Sequence, residues 1–85
     1  MSPPLELTAP DLGKAIKFCR EIVNLKQWEV ADKTEMGASY ISRIENGKVN
    51  PTLKTVEHLS GALGIDHSKI LAVAEVYAEG RRRVS

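Results

Sequence analysis

The sequence is poor in cysteine and in long apolar runs, and each shortage excludes a class of protein. Cys19 is the only cysteine among the 85 residues, so an internal disulfide is impossible and nothing indicates an oxidising compartment. No apolar stretch approaches the roughly 20 residues that a membrane-spanning helix needs. Residues 1–10 contain no Lys or Arg of the kind that begins a secretory signal. We therefore expect a cytoplasmic protein with no membrane contact.

The chain also lacks a strong charge of either sign. Its formal net charge is +1, and three of its twelve basic residues stand together at Arg81–Arg83, so acidic residues outnumber basic ones in the remainder. Any binding to nucleic acid must therefore depend on where individual charges and hydrogen-bonding groups lie. The Arg81–Arg83 run fits a solvated tail as well as an arm that adds nonspecific attraction to DNA.

What remains is enough to build one small helical domain. Apolar residues make up 42% of the sequence and charged residues 27%, which favours a folded chain. We predict an extended arm at residues 1–10, a compact, all-α, five-helix domain at residues 11–80 and a basic tail at residues 81–85. The predicted helices begin near Asp11, Gln27, Ala38, Thr52 and Asp66.

Apolar residues at helical spacing indicate which side of each helix faces the core. Gly47 and Gly64 stand where a left-handed residue is expected to end a helix, and Gly80 is the expected stop of the fifth. The residues expected to face inward are Leu12, Ile16, Cys19, Val23, Val30, Ala31, Ile41, Ile44, Leu53, Val56, Leu59, Leu63, Ile70, Leu71, Ala74 and Tyr77.

Residues 27–53, QWEVADKTEMGASYISRIENGKVNPTL, form two short predicted helices joined by a tight turn. This segment resembles the XRE family, regulators similar to the lambda-type phage repressors, and the ISRIENGK stretch is its most specific part. Matching residues extend from Leu12 to Leu71. The resemblance implies a compact lambda repressor-like helix-turn-helix fold and a transcriptional repressor, not an enzyme, that binds double-stranded DNA without a cofactor.

The third predicted helix has the side chains that base reading requires. A helix enters the major groove only if its N-terminal end carries short or hydrogen-bonding side chains, and Ala38 and Ser39 satisfy this. Ser42 and Arg43 lie on the same face, where Arg43 could pair with guanine and Ala38 could contact a thymine methyl group. The resemblance places base reading at these four positions.

Phosphate contacts would fix the docking pose. Gln27 combines a side-chain amide with the free N–H groups at the start of the second helix, and the resemblance implies the same role. Asn46 and Lys48 follow the third helix where such regulators touch the DNA backbone, and Tyr40 offers a hydroxyl nearby, although simple packing explains Tyr40 equally well.

Two other features come from the comparison with the family pattern. Arg20 and Glu45 match positions that form a largely buried salt bridge, which would orient the third helix. Glu35 stands where the family has glycine, so it should adopt a left-handed conformation at a cost of about 1 kcal/mol. Gly37 replaces the usual Ser or Thr cap of the third helix.

The long fifth helix suggests self-association. Val73, Val76 and Tyr77 exceed what the core needs and are candidates for a dimer interface. A twofold dimer would place two recognition helices about 34 Å apart and predicts a roughly palindromic operator. The alternative is a protein-interaction module or antitoxin-like adaptor that uses the same fold to hold a second protein partner.

Other candidate sites have simpler explanations. His58 and His67 match no common zinc spacing, so no metal is expected, and Ser39 or Ser42 as a nucleophile has no candidate base. Cys19 is expected in the core. Trp28 is expected to pack against a neighbouring side chain rather than to stack on bases.

Overall fold

The computed structural model describes residues 7–84, which form five α-helices and no strand. This confirms the predicted all-α, five-helix class. Residues 1–6 of the expected arm and Ser85 of the expected tail lie outside the described residues. The helices are α1 (Ala9–Ile22), α2 (Gln27–Thr34), α3 (Ala38–Glu45), α4 (Leu53–Leu63) and α5 (His67–Val84).

Helix α1 begins two residues earlier than the sequence predicted. Thr8 is its N-cap: the Thr8 hydroxyl accepts a hydrogen bond from the Asp11 amide at 3.3 Å, and the Asp11 carboxylate accepts one from the Thr8 amide at 3.0 Å. Pro10 fits inside the first turn because the N–H groups there have no partner within the helix. The prediction that Asp11 is the N-cap of α1 was therefore wrong. Asp11 is the third residue of the helix and forms a reciprocal capping pair with Thr8.

The turn between α2 and α3 uses a strained residue. Glu35 has φ of 61° and ends α2 in the left-handed conformation, as the sequence indicated. The Thr34 hydroxyl stabilises this turn by donating to the Val30 carbonyl at 2.7 Å and accepting from the Met36 amide at 3.2 Å. Gly37 then caps α3 without a side-chain hydrogen bond. This short turn determines how α3 projects from α2.

The predicted caps of α4 and α5 are confirmed. Thr52 accepts a hydrogen bond from the Thr55 amide at 3.2 Å, and Asp66 accepts one from the Ser68 amide at 3.0 Å. That hydrogen bond from Ser68 lowers the pKa of Asp66. Gly64 ends α4 with φ of 69°, in the left-handed conformation expected of it.

Helix α5 continues past Gly80, so Arg81–Arg83 belong to a helix and not to a tail. Glycine inside a helix costs about 1 kcal/mol, and two ion pairs around the last turn offset it. Arg81 Nη2 lies 3.0 Å from Asp11 Oδ2, and Arg83 Nε lies 3.2 Å from Glu79 Oε1. Positive charge at a helix C-terminus is also favoured by the helix dipole. The predicted stop at Gly80 was wrong for these reasons.

The core lies where α1 meets α3 and α5. Its largest fully buried side chains include Ile16 of α1, Ile41 and Ile44 of α3, and Ile70 of α5. Most of the predicted inward residues are buried or half-buried. Leu53 is the exception, at 58% exposed. It is the first residue of α4, and the buried side of that helix begins one turn later, at Val56. No helix in the described part of the chain has the length and apolar character to cross a membrane.

Candidate nucleic-acid interface

Helix α3 has a buried side and an exposed side. Ile41 and Ile44 are fully buried, whereas the predicted base-reading residues are exposed or, for Ser42, half-buried. At 100° per residue these four residues fall within an arc of about 140° on the side away from the two isoleucines. The structure therefore brings together Ala38, Ser39, Ser42 and Arg43.

The N-terminal end of this exposed side is slim. Gly37, Ala38 and Ser39 are all exposed and carry no bulky side chain, so the start of α3 can approach a flat surface closely. The N–H groups of a first helical turn have no partner within the helix. The start of α3 is thus suited to fit against groups that accept hydrogen bonds.

Arg43 lies near the other end of the same face. It is exposed, and within residues 7–84 it makes no ion pair. Ser42 is less available, because its hydroxyl accepts a hydrogen bond from the Asn46 side-chain amide at 3.3 Å. The guanidinium of Arg43 is therefore the strongest hydrogen-bond donor on this face.

The C-terminal end of α3 is held by an almost fully buried ion pair. Arg20 donates from Nε to Glu45 Oε2 at 2.7 Å and from Nη2 to Oε1 at 3.0 Å, and the two side chains are 11% and 2% exposed. A further bond from Arg20 Nη1 reaches the Leu25 carbonyl at 2.8 Å. The hydrogen bonds to Glu45 raise the pKa of Arg20. The salt bridge predicted from the sequence is present and ties α1 to α3.

Gln27 has a structural contact that the sequence did not indicate. Its side-chain Nε2 donates to Glu45 Oε1 at 2.9 Å, so the first residue of α2 joins the Arg20–Glu45 pair. One carboxylate thereby connects α1, α2 and α3. One of the two N–H donors on Gln27 Nε2 is engaged inside the protein, which leaves the second donor and the N-terminal turn of α2 for a contact with a phosphate group.

Helix α1 also approaches the end of α3 more closely than a side chain allows. A Cβ atom added at Gly13 would collide with the carbonyl oxygen of Ile44 and would lie 2.9 Å from that of Glu45. Gly47, at φ of 73°, faces Pro10 in the same way. Sequence reasoning missed Gly13, although a glycine inside a helical pattern is the usual mark of a close backbone approach.

The other predicted phosphate-binding residues lie around α3. Asn46 and Lys48 are exposed in the turn that follows it, and Tyr40 is 37% exposed. Two further exposed cations were not predicted: Lys26, the N-cap residue of α2, and Lys54, in the first turn of α4. Their positions beside helix N-termini were the available indication.

Trp28 is on the surface, contrary to prediction. It is 63% exposed, because α2 buries Val30 and Thr34, and a residue two positions before Val30 points the opposite way. Of the residues predicted to form a dimer interface on α5, Val76 is 72% exposed, whereas Val73 and Tyr77 are half-buried and pack against the core.

Cys19 is buried among core residues, as predicted, and burial raises the pKa of its thiol. Within residues 7–84 no group of three or more His, Cys, Asp or Glu side chains is placed to hold a metal ion.

Comparison with known proteins agrees with this geometry. A helix-turn-helix family model matches residues 16–70. The immunity repressor of Bacillus phage phi105 is 40% identical over 60 residues, which are 71% of this chain and 42% of that protein. The control protein C.MunI of Mycoplasma sp is 36% identical over 63 residues, covering 74% of this chain and 85% of that one.

Two solved structures show the same fold. The clp gene regulator ClgR of Corynebacterium glutamicum superposes with a TM-score of 0.86 at 21% identity, over 94% of this chain and 85% of that chain. The restriction-modification controller protein C.Esp1396I, solved as a tetramer in complex with its natural 35 base-pair operator, gives a TM-score of 0.75 at 23% identity, over 82% and 92%.

These matches confirm the resemblance drawn from the ISRIENGK stretch. The relatives are repressors and control proteins and not enzymes. The structural neighbours are lambda repressor-like regulators. The chain therefore belongs to the XRE-type helix-turn-helix family of transcriptional regulators.

Proposed function

We propose that this protein is a cytoplasmic, sequence-specific repressor that binds double-stranded DNA by docking α3 in the major groove, as a homodimer on a roughly palindromic operator. The observation that carries the proposal is the exposed face of α3, slim at its start and bearing Arg43, on a helix whose other face and far end are fixed in the core. A rigidly held, polar and narrow helix face is what base reading needs.

Each residue on this face has a specific part in the proposal. Arg43 pairs with the two acceptors of a guanine, Ala38 contacts a thymine methyl group and Ser39 offers a short hydrogen-bonding group. Ser42 contributes less, because Asn46 already occupies its hydroxyl. Arg43 therefore supplies most of the direct readout.

Phosphate contacts come from the elements around α3. Gln27 at the start of α2 and Asn46 and Lys48 after α3 are the proposed contacts, together with the hydroxyl of Tyr40. Exposed Lys26 adds a cation beside Gln27. A few such contacts supply affinity despite a net charge of +1.

The homodimer is proposed to form through α5. Val76 lines a shallow groove along α5 together with Ala72 and Gly80, and charges of both signs lie at its rim, from Glu75, Glu79 and Arg83. Val73 and Tyr77 are proposed to border the interface from the adjoining, half-buried side of the helix. A surface with an apolar centre and mixed charges at its edge can pair with a second copy about a twofold axis. The tetramer of C.Esp1396I on its operator supports assembly of this kind.

Repression is the direction that the relatives support. The phage phi105 protein is an immunity repressor and an Acinetobacter baylyi relative is a competence pilus inhibition repressor. A dimer seated on a promoter represses by excluding polymerase from the same DNA.

The test is selection from a pool of randomised 20 base-pair duplexes, followed by fluorescence anisotropy of the winning duplex over a range of salt concentrations. We expect a palindromic site and an affinity that falls steeply as salt rises. Val76→Glu should be a monomer by sedimentation and bind the palindrome more weakly. A folded dimer that enriches no sequence would overturn the proposal.

The exposed Trp28 favours one second candidate. A tryptophan that is 63% exposed on α2, in a chain with little net charge, also suits an adaptor that holds a second protein partner. Absence of sequence enrichment in the same selection would favour this adaptor over the repressor.

A further inference from the structure

Asp11 is a buried carboxylate whose partners come from opposite ends of the chain. Its side chain is 3% exposed and accepts a hydrogen bond from the Thr8 amide at 3.0 Å. It also accepts from Arg81, at 3.0 Å from Nη2 and 3.4 Å from Nε. A guanidinium that donates two hydrogen bonds to a carboxylate makes a directional contact. The last turn of α5 is thereby fastened to the first turn of α1.

The first five residues of α1 are the surface against which the end of α3 and the turn after it rest. Pro10 touches Gly47, and Gly13 lies against the carbonyl oxygens of Ile44 and Glu45 with no room for a Cβ atom. Contacts this close transmit a displacement, because packed interiors have little free volume to absorb it. A shift of the first turn of α1 must therefore move the C-terminal end of α3.

We propose that Arg81 is a positioning residue for α3: by holding the first turn of α1 through Asp11, the end of α5 fixes the pose of the recognition helix without touching DNA. This inference rests on the proposed function and deepens it, since it makes operator affinity depend on a contact outside the reading face. It assigns Arg81 a role other than the two that its sequence context suggested, a solvated tail or a basic arm on DNA.

The positioning role and the basic arm predict opposite effects of removing Asp11. If Arg81 acts on DNA directly, Asp11→Asn releases its charge and binding becomes tighter or stays the same. If Arg81 positions α3, Asp11→Asn and Arg81→Gln both weaken binding, and the double variant is no weaker than either single one. Lys69→Gln is the matched control, because it removes the same charge from the same helix at an exposed position that lies outside the groove proposed for the dimer.

Binding is measured by anisotropy on the duplex selected by the wild-type protein, with circular dichroism to show that each variant is folded. We expect about three- to tenfold weaker binding for Arg81→Gln and for Asp11→Asn, with an unchanged salt slope, and a change of less than about twofold for Lys69→Gln. Tighter binding by Asp11→Asn, a salt slope lower by about one in Arg81→Gln, or equal loss in Lys69→Gln would overturn the inference.

A second measurement needs no DNA. Backbone amide shifts in ¹H–¹⁵N spectra report the environment of Ile44, Glu45 and Gly47 directly. We expect these amides to shift in Arg81→Gln and to stay in place in Lys69→Gln. Changes confined to α5 and the first turn of α1 would overturn the inference. If the wild-type protein selects no duplex, the proposed function fails while these spectra still decide whether the end of α5 positions α3.

Discussion

The two ends of α3 are built in opposite ways. The first residues, Gly37 to Ser39, are small and exposed. The last residues, Ile44 and Glu45, are buried and in contact with α1 through an ion pair and a direct backbone approach. In eight residues the helix changes from a surface for display to an anchor in the core. We call Ile44 and Glu45 the anchored end of α3, and the exposed side that carries Arg43 its display face. Substitutions at the anchored end should therefore alter stability, whereas substitutions on the display face should alter binding alone.

The largest effect is expected at the anchored end, from Glu45→Ala. The substitution leaves Arg20 without its partner in a nearly buried position, so the free energy of unfolding should fall by about 3–5 kcal/mol. Urea denaturation followed by circular dichroism measures this. Exposed Glu57 is the control, and Glu57→Ala should change stability by less than about 0.5 kcal/mol. Equal effects at the two sites would show that the two ends of α3 do not differ as described.

Gly13→Ala tests the backbone approach of α1 to the same end. The added methyl group collides with the Ile44 carbonyl, so we expect a loss of about 1–3 kcal/mol of stability. Gly61→Ala in α4 is the matched control: its Cβ meets nothing within 4 Å, and it should gain up to about 1 kcal/mol from helix propensity. Melting temperatures that move in the same direction for both variants would contradict the close contact.

Arg43→Ala sharpens the comparison from the display face. Its stability should stay within about 0.5 kcal/mol of the wild type, because the side chain is exposed. Discrimination at one base pair of the selected duplex should fall by about 1–3 kcal/mol, measured by anisotropy on the duplex and its single base-pair variants. Lys69→Ala, an exposed cation on α5, should leave base preference intact. Retention of every base preference by Arg43→Ala would assign readout to other residues.

The smallest expected effect is a pH dependence at the first turn of α1. Burial acts to raise the pKa of Asp11, but the hydrogen bonds from Arg81 and Thr8 outweigh it and hold the pKa below 3.8. A carboxyl with a lowered pKa stabilises the fold above its unfolded value and loses that contribution as the pH falls through the folded value. Because the Arg81 side chain is 48% exposed, we expect less than about 1 kcal/mol.

Urea denaturation between pH 5 and 2.5 measures this contribution as the difference between the wild type and Asp11→Asn. The two curves should converge as the pH falls below about 3.8. A constant separation at every pH would show that the Asp11 carboxylate is not the group that titrates.

Much of the fold could be predicted from the sequence because local chemistry decides it. Ile41 and Ile44 at helical spacing, Thr52 and Asp66 as caps, and Gly47 and Gly64 as left-handed residues each have one favourable structural use. The two isoleucines also predicted the exposed side of α3, and the resemblance carried by ISRIENGK assigned base reading to that side. The Arg20–Glu45 ion pair followed from the same match and from no local pattern.

The features that the sequence could not show at Gly80, Gln27 and Gly13 depend on contacts between distant segments. Nothing near Gly80 in the sequence shows that Asp11 holds the next turn of α5, and nothing near Gln27 shows that its amide reaches Glu45. Trp28 was placed in a contact because of its large apolar area, yet its position on α2 points it to the solvent. The direct approach at Gly13 also becomes visible only when α1 and α3 are seen together.

The burial of Cys19 gives the molecule a chemical reporter of its own opening. The Cys19 thiol lies inside the core and has a raised pKa. It therefore reacts with a modifying reagent only when the surrounding helices separate. The rate of labelling at Cys19 therefore measures how often the folded protein opens. The wild-type sequence itself can be used for this measurement.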